Sequence, residues 1–344
     1  MSATEHKCPS CNASLPFNPV TQKWDCEYCG SSYSLEELTK EEKNKKLNEE
    51  VESTKVVDVY RCNSCGAEVV ADDTTASTFC LYCGNTNILK EKMQGKFKPE
   101  YIIPFKKIKE QAQKAFKDGC KGKLFMPKGF DSISNIEKIT GVYIPFWLFD
   151  ATVEANMKGT GTKIKTWSDS SYNYTKKDVY SIYRAGHFEV ENVPTDGALK
   201  FDDTLMQSIE PFNYEDMVDF NMSYMSGFLA EKYNVDEEEA SKTAKTRIEN
   251  TAAEALKEDA NLSYTVVSVA EHQEILDMKD TSYALLPVWM LNIKYKGKMY
   301  PFAMNGQTGK MVGDVPVDTG KLIFYSIVGQ IVAMLIVYII SGVI

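Results

Sequence analysis

The sequence predicts an α+β protein with two small cysteine modules at its front and one transmembrane helix at its end. Three observations carry this. Eight of the nine cysteines fall in four C-x-x-C pairs within the first 83 residues. Between Val142 and Met304, runs rich in β-branched and aromatic residues alternate with helical patterns. Leu322 to Ile344 contains no charged residue.

The chain has 344 residues, 43% hydrophobic and 25% charged. That length and balance exclude wholesale disorder and leave room for a sizeable core. The formal charge of −9 argues against a general polyanion binder unless basic residues are gathered locally. Polar residues run from Met1 into the first cysteine pair, with no apolar stretch to serve as a secretory signal. The thiols are therefore expected in a reducing cytosol, where close pairs read as metal ligands before disulfides.

The pairs are Cys8 and Cys11, Cys26 and Cys29, Cys62 and Cys65, and Cys80 and Cys83; a shift of 54 positions superposes the first two pairs on the last two. The same shift takes Tyr28 to Tyr82 and Gly30 to Gly84, so the module is an internal repeat. Each copy reads C-x2-C-x14-C-x2-C, the design of a four-thiolate zinc ribbon. Two intervening residues let one tight turn aim both sulfurs at one ion, and fourteen suffice for a hairpin that returns the second turn. Asn12, Gly30, Gly66 and Gly84 follow the pairs and tolerate the positive φ that would point backbone N–H groups at sulfur. Four ligands close a tetrahedral shell, so two structural zinc ions are expected and a catalytic one is not. Ribbon 1 covers 1–34 and ribbon 2 covers 59–93, with Trp24, Tyr28 and Tyr82 expected to cover their small cores. Residues 1–34 carry a net charge of −1 and residues 59–89 of −2, which favours protein over nucleic acid as a partner. Between them, 35–58 holds eight acids and five lysines and reads as a solvated helix or linker.

The central α+β domain is placed at 94–318. Lys90 to Lys128 is its one basic stretch, twelve lysines against four acids. Ile108, Ala112, Ala115 and Phe116 recur there at helical spacing, with Lys106, Lys107, Lys109, Lys114 and Lys117 at the other positions. A solvated outer face is the plain reading; contact with anionic lipid headgroups and contact with nucleic acid stay open. Strands are expected over Val142–Val153, Val179–Val193, Ser263–Ala270, Tyr283–Tyr295 and Lys298–Met304, with hairpin turns at Lys296-Gly297 and Asn305-Gly306. Helices are expected over Tyr214–Tyr233 and Asp236–Lys257, the second with Ala240, Ala244, Ile248, Ala252 and Leu256 inward. A shared P-x-W in Ile144-Pro-Phe-Trp147 and Leu286-Pro-Val-Trp289 hints at a second duplication, and the prolines suit a sheet edge or strand start.

No catalytic pattern emerges. His6, His187 and His272 belong to no recognisable metal or nucleophile pattern, and Gly306 to Lys310 lacks the residues of a phosphate loop and reads as a turn. Leu322 to Ile344 is about 35 Å of helix at about 1.5 Å per residue, enough to cross a hydrocarbon core of about 30 Å. The expected topology is a single-pass tail anchor in the cell membrane, with the N-terminal body in the cytoplasm.

The two cysteine modules, Tyr101-Ile-Ile-Pro-Phe105, Thr140-Gly-Val-Tyr-Ile-Pro-Phe-Trp-Leu-Phe-Asp150, Phe302-Ala-Met-Asn-Gly-Gln-Thr-Gly309 and the apolar tail together resemble the bacterial TFIIB-type zinc-ribbon membrane proteins of the YdjG kind. The resemblance spans most of the chain. It implies zinc at all eight paired cysteines, membrane attachment and no catalytic residue. The expected function is a non-enzymatic, membrane-anchored adaptor for protein partners. The alternative is a membrane-tethered nucleic-acid-binding protein that uses Lys90 to Lys128.

Overall fold

The computed structural model describes residues 7–39, 57–62, 68–70, 88–93, 99–198, 203–231 and 233–341. Cys65, Cys80, Cys83, Tyr82, His6 and 40–56 lie outside them.

The first module is a three-stranded antiparallel sheet of β1 (Phe17–Asn18), β2 (Lys23–Asp25) and β3 (Ser32–Tyr33), followed by a helical turn over 35–39. Of the second, β4 (Val57–Cys62), β5 (Glu68–Val70) and β6 (Ile88–Met93) are described, and β4 pairs with both others. The bridge Lys7↔Ser14 recurs 54 residues later as the pair Arg61↔Glu68. The second module's strands belong to the main sheet, because β5 pairs with β11 (Leu229–Glu231).

Two strands of unusual length form the spine: β8 (Thr140–Ser168) and β12 (Val266–Tyr295), antiparallel from Val266↔Thr162 to Met290↔Thr140. β9 (Asn173–Asp196) returns along β8, and β13 (Lys298–Asn305) returns along β12. The two runs expected at Ser263–Ala270 and Tyr283–Tyr295 are therefore one strand. Its polar middle does not break it, because Leu276 and Met278 face the core while Glu271, Gln273 and Ile275 alternate to the open side.

Matched halves are built around the spine. Each has a short strand, a helix, a long strand with P-x-W and a returning strand. In the first half these are β7 (Tyr101–Ile102), α1 (Lys109–Cys120), β8 and β9, with the one-turn α2 (Ile133–Ile136) inserted. The second half comprises β11, α4 (Glu237–Ser263), β12 and β13; α3 (Asp203–Ser208) and β10 (Val218–Asp219) lie between the halves. β7 runs parallel to β12 with Tyr101↔Ala284 and Ile102↔Leu285, and β11 runs parallel to β8 with Leu229↔Val142 and Ala230↔Tyr143. The Trp289 indole donates to the Lys107 carbonyl at 2.9 Å, and that of Trp147 to the Val235 carbonyl at 3.0 Å, each just before its helix. The Lys106 and Lys107 N–H groups donate to Gly306 O; those of Asn234 and Val235 donate to Gly197 O. A pseudo-twofold axis at the pair Ile144↔Leu286 relates all of these.

This arrangement corrects the expectation for the prolines. Pro145 and Pro287 lie inside the sheet, where a side neighbour changes: from β9 to β11 beside Pro145, and from β7 to β13 beside Pro287. A missing N–H costs no ladder bond there. Their carbonyls accept from Gly197 N and Gly306 N, at 2.9 and 2.8 Å.

The expected helix over Tyr214–Tyr233 is also corrected. Two 3-10 turns, Tyr214–Asp216 and Met222–Met225, β10 and β11 occupy it. The Asn213 and Asn221 side chains accept from Glu215 N and Ser223 N, closing local turns that compete with a helix, and Gly227 has φ +87°. α4 fits the expectation: Asp236 caps it through Glu239 N at 2.9 Å, and the inward stripe is buried, extended by Ala260. Lys296-Gly297 is a positive-φ turn between β12 and β13. Asn305-Gly306 instead opens a longer loop to β14 (Met311–Gly313), closed by Asn305 N to Lys310 O at 2.9 Å.

Phe105 centres the core. It is fully buried, stacked on Phe228 at 4.2 Å and edge-on to Tyr143 and Trp289. Gly306 is obligatory beside it, since a Cβ there would lie 2.6 Å from the ring. Phe105→Ala is expected to cost about 3–5 kcal/mol in denaturant unfolding of the detergent-solubilised chain. Leu262→Ala, at a side chain 87% exposed, should change it by less than about 0.5 kcal/mol.

Candidate metal centre

Cys8 and Cys11 occupy one tight turn and Cys26 and Cys29 another, built alike. Cys8 N donates to Ala13 O and Asn12 N to Cys8 O; Cys26 N donates to Ser31 O and Gly30 N to Cys26 O, all at 2.7–2.9 Å. Asn12 and Gly30 take positive φ, +62° and +73°, as their residue types allow. β1 to β3 bring the turns together, and the four sulfurs lie within 4.8 Å of one another. Cys8 and Cys29 Sγ are 3.5 Å apart, as are Cys11 and Cys26 Sγ. A tetrahedral ion with metal–sulfur bonds of about 2.3 Å sets its ligands about 3.8 Å apart, so the set fits one ion with little movement.

The sulfurs are not equivalent. The Ser31 hydroxyl, 3.3 Å away, and the Ser31 N–H bring the Cys29 thiol down to about 6. At Cys11 the Ala13 N–H pulls downward, but burial and the sulfurs of Cys29, Cys26 and Cys8 outweigh it and push the thiol up to about 12. Burial opposes ionisation of Cys8, yet the N–H groups of Cys11 and Ser10 hold it below the ordinary thiol value. Ionisation is therefore favoured at exposed Cys29 and at Cys8 and opposed at Cys11, whose neighbouring sulfurs resist a further negative charge. Ser31 was missed from spacing alone. Its signal was position: it follows Gly30 as Ala13 follows Asn12.

The module is seated on the body. Trp24, fully buried, donates from Nε1 to Ser223 O at 3.0 Å and packs with Phe17 and Tyr224. Ser226 Oγ donates to Leu15 O, and Gln22 Nε2 to Phe105 O at 2.8 Å. Tyr28 does not cover the small core as expected; it is 84% exposed. Cys62 ends β4, and the other three ligands of the second expected site lie outside the described residues.

The lysines of the basic stretch divide. Lys109, Lys114 and Lys117 are exposed on α1, whose Ala112, Phe116 and Cys120 are buried. Lys106 is bound to Asp216 at 2.5 Å, which with help from Gln307 holds that carboxyl below its ordinary range. Lys107 is half-buried. His187 and His272 are exposed, beside Glu189 and Glu274.

The C-terminal α5 (Thr319–Ser341) contains a 21-residue stretch, Thr319–Ile339, long and apolar enough to span a membrane, with none of it buried among the described residues. Its start is pinned by Asp318 N to Phe125 O at 2.7 Å, Lys321 Nζ to Met126 O at 2.6 Å, and the rings of Phe125 and Tyr325.

Fold and site define a mixed α/β protein with a four-cysteine cluster capable of holding a metal ion and one helix of membrane-spanning length. It is 33% identical over 317 residues to the uncharacterized protein YdjG of Bacillus subtilis strain 168, covering 92% of this chain and 91% of that one. The chain belongs to the YdjG family. No family model and no solved structure match it.

In the metal-free chain, iodoacetamide should modify Cys29 before Cys11, with a rate at Cys29 rising through about pH 6 as its thiolate forms. Peptide mapping by mass spectrometry reads the order; faster labelling of Cys11 would contradict the assignment.

Proposed function

We propose that this chain is a non-enzymatic, zinc-binding adaptor of the cell membrane. It is anchored by α5 with its body in the cytoplasm and presents two zinc ribbons and the α+β body to protein partners. The closed set of four sulfurs carries the reading. Soft thiolates in a tetrahedral set favour zinc, and four protein ligands leave no position for a reacting water. The second zinc rests on Cys62, Cys65, Cys80 and Cys83 through the 54-residue repeat, with Arg61↔Glu68 as its structural support. Zinc binding supplies about 10–16 kcal/mol to small modules of this kind, and the first module is held besides by Trp24 and Gln22 seated on the body. The membrane reading rests on the length and bare apolar surface of α5. The nucleic-acid alternative keeps exposed Lys109, Lys114 and Lys117 as its feature.

Metal analysis of the purified full chain should give two zinc ions per chain, and one after Cys8→Ser with Cys11→Ser. The chain should stay with membranes through carbonate washing, and removing 319–344 should release it. Metal-free protein, or release of the intact chain by carbonate, would overturn the proposal. Tight single-stranded DNA binding that falls steeply with salt would favour the alternative.

A further inference from the structure

Beyond the body, β8, β9 and the first half of β12 continue as a three-stranded arm with α4 on one face. α4 climbs it in step: Ala240 and Ala244 pack near Phe149, and Ile248 to Ala260 against Ala151 to Met157. The helix ends at Ser263, with Leu262 exposed and Tyr264 beside Tyr180. β12 starts there, with Val266 opposite Thr162, and β8 and β9 alone run on as a two-stranded ribbon. The same sheet face runs on for about six residues, or about 20 Å at 3.3 Å per residue, to a stacked pair of Trp167 and Tyr174 at 5.5 Å and 12°. Lys163, Lys165 and Lys176 stand on it, Lys163 over the rings of Tyr180 and Tyr264, with Asp178 3.0 Å from Lys176 and Asp169 accepting from the Tyr174 hydroxyl at the tip. Trp167 is 53% exposed, Tyr180 44% and Tyr174 39%.

We propose that this bare stretch seats an acidic helix of a protein partner, prolonging α4 towards the tip. It rests on the adaptor reading and names the surface and chemistry of that partner. α4 shows what the face accepts. It carries seven acids against four bases, and its last turns are tied to the sheet by Arg184 Nε to Asp259 Oδ2 at 2.6 Å, a cation from the strand meeting an acid from the helix. Lys163, Lys165 and Lys176 repeat that cation row, the aromatic rings supply the apolar seat, and 20 Å takes three to four helical turns. A bilayer is the weaker match. α5 leaves the body beside Phe125 and Met126, near the end lined by Phe130, Tyr295 and Tyr300, whereas the tip lies at the other end of the β8–β12 ladder.

The test places p-benzoylphenylalanine at exposed Tyr172 of the full chain, irradiates expressing cells and maps the adducts by mass spectrometry. The expected adduct lies in an Asp/Glu-rich helical segment of a different protein, and falls at least about tenfold in Lys163→Glu/Lys165→Glu/Lys176→Glu. Adducts confined to lipid, nucleic acid, this chain or a non-acidic segment, or no adduct, overturn it. The charge-reversed chain should unfold at the same denaturant midpoint, which separates lost docking from lost folding. If affinity capture on that variant keeps the wild-type partner, the tip assignment fails and the adaptor stands; if neither chain captures a reproducible partner, the adaptor reading fails itself.

Discussion

The hydrogen-bonded ladder between β8 and β12 is the constraint on which everything else depends. Its register sets Ile144 opposite Leu286 and lets each proline fall where a lateral neighbour ends and another begins. A slip of one residue would exchange the two buried faces of the run from Val142 to Phe149, setting Ile144, Phe146 and Leu148 where Tyr143 and Trp147 pack, and bring a proline against a strand that needs its N–H. Glycines complete the fit: Gly141 and Gly306 leave room for the rings of Phe228 and Phe105, so the aromatic cluster and the ladder fix one another.

The first cysteine module is tied to this frame rather than tethered beside it. Gln22 reaches the carbonyl of Phe105, the residue at the centre of the cluster, and Trp24 is buried against the turns around Ser223. Those turns occupy the segment whose aromatic spacing resembled a helix. Capping asparagines divide it into short pieces that make two contacts at once, with the module on one side and the main sheet, through β11, on the other.

What the sequence made legible was whatever has strong local chemistry. The cysteine spacing located the four sulfurs that cluster in the first module, and Asn12 and Gly30 took the positive φ their types suggested. The capped helix at Asp236 and the apolar tail had equally local signals. Length of strand was not legible, because beyond Val153 one face packs on α4 while the other is polar, and neither charge nor a polar run ends a strand whose bonds lie with distant partners. The pseudo-twofold was visible only as P-x-W. Its other members, Gly197 with Gly306 and Val235 with Lys107, correspond through backbone hydrogen bonds, and apart from the glycines they differ in residue type, so the correspondence leaves little trace in sequence.

The matched halves exchange their opening strands: β7, from the first, lies beside β12, and β11, from the second, lies beside β8. Each tryptophan likewise reaches a carbonyl of the opposite half. Neither unit closes its own sheet, so the body is interlocked like clasped hands. It must melt as a single cooperative block, and a fragment bearing one half has no complete fold to adopt until it finds the other.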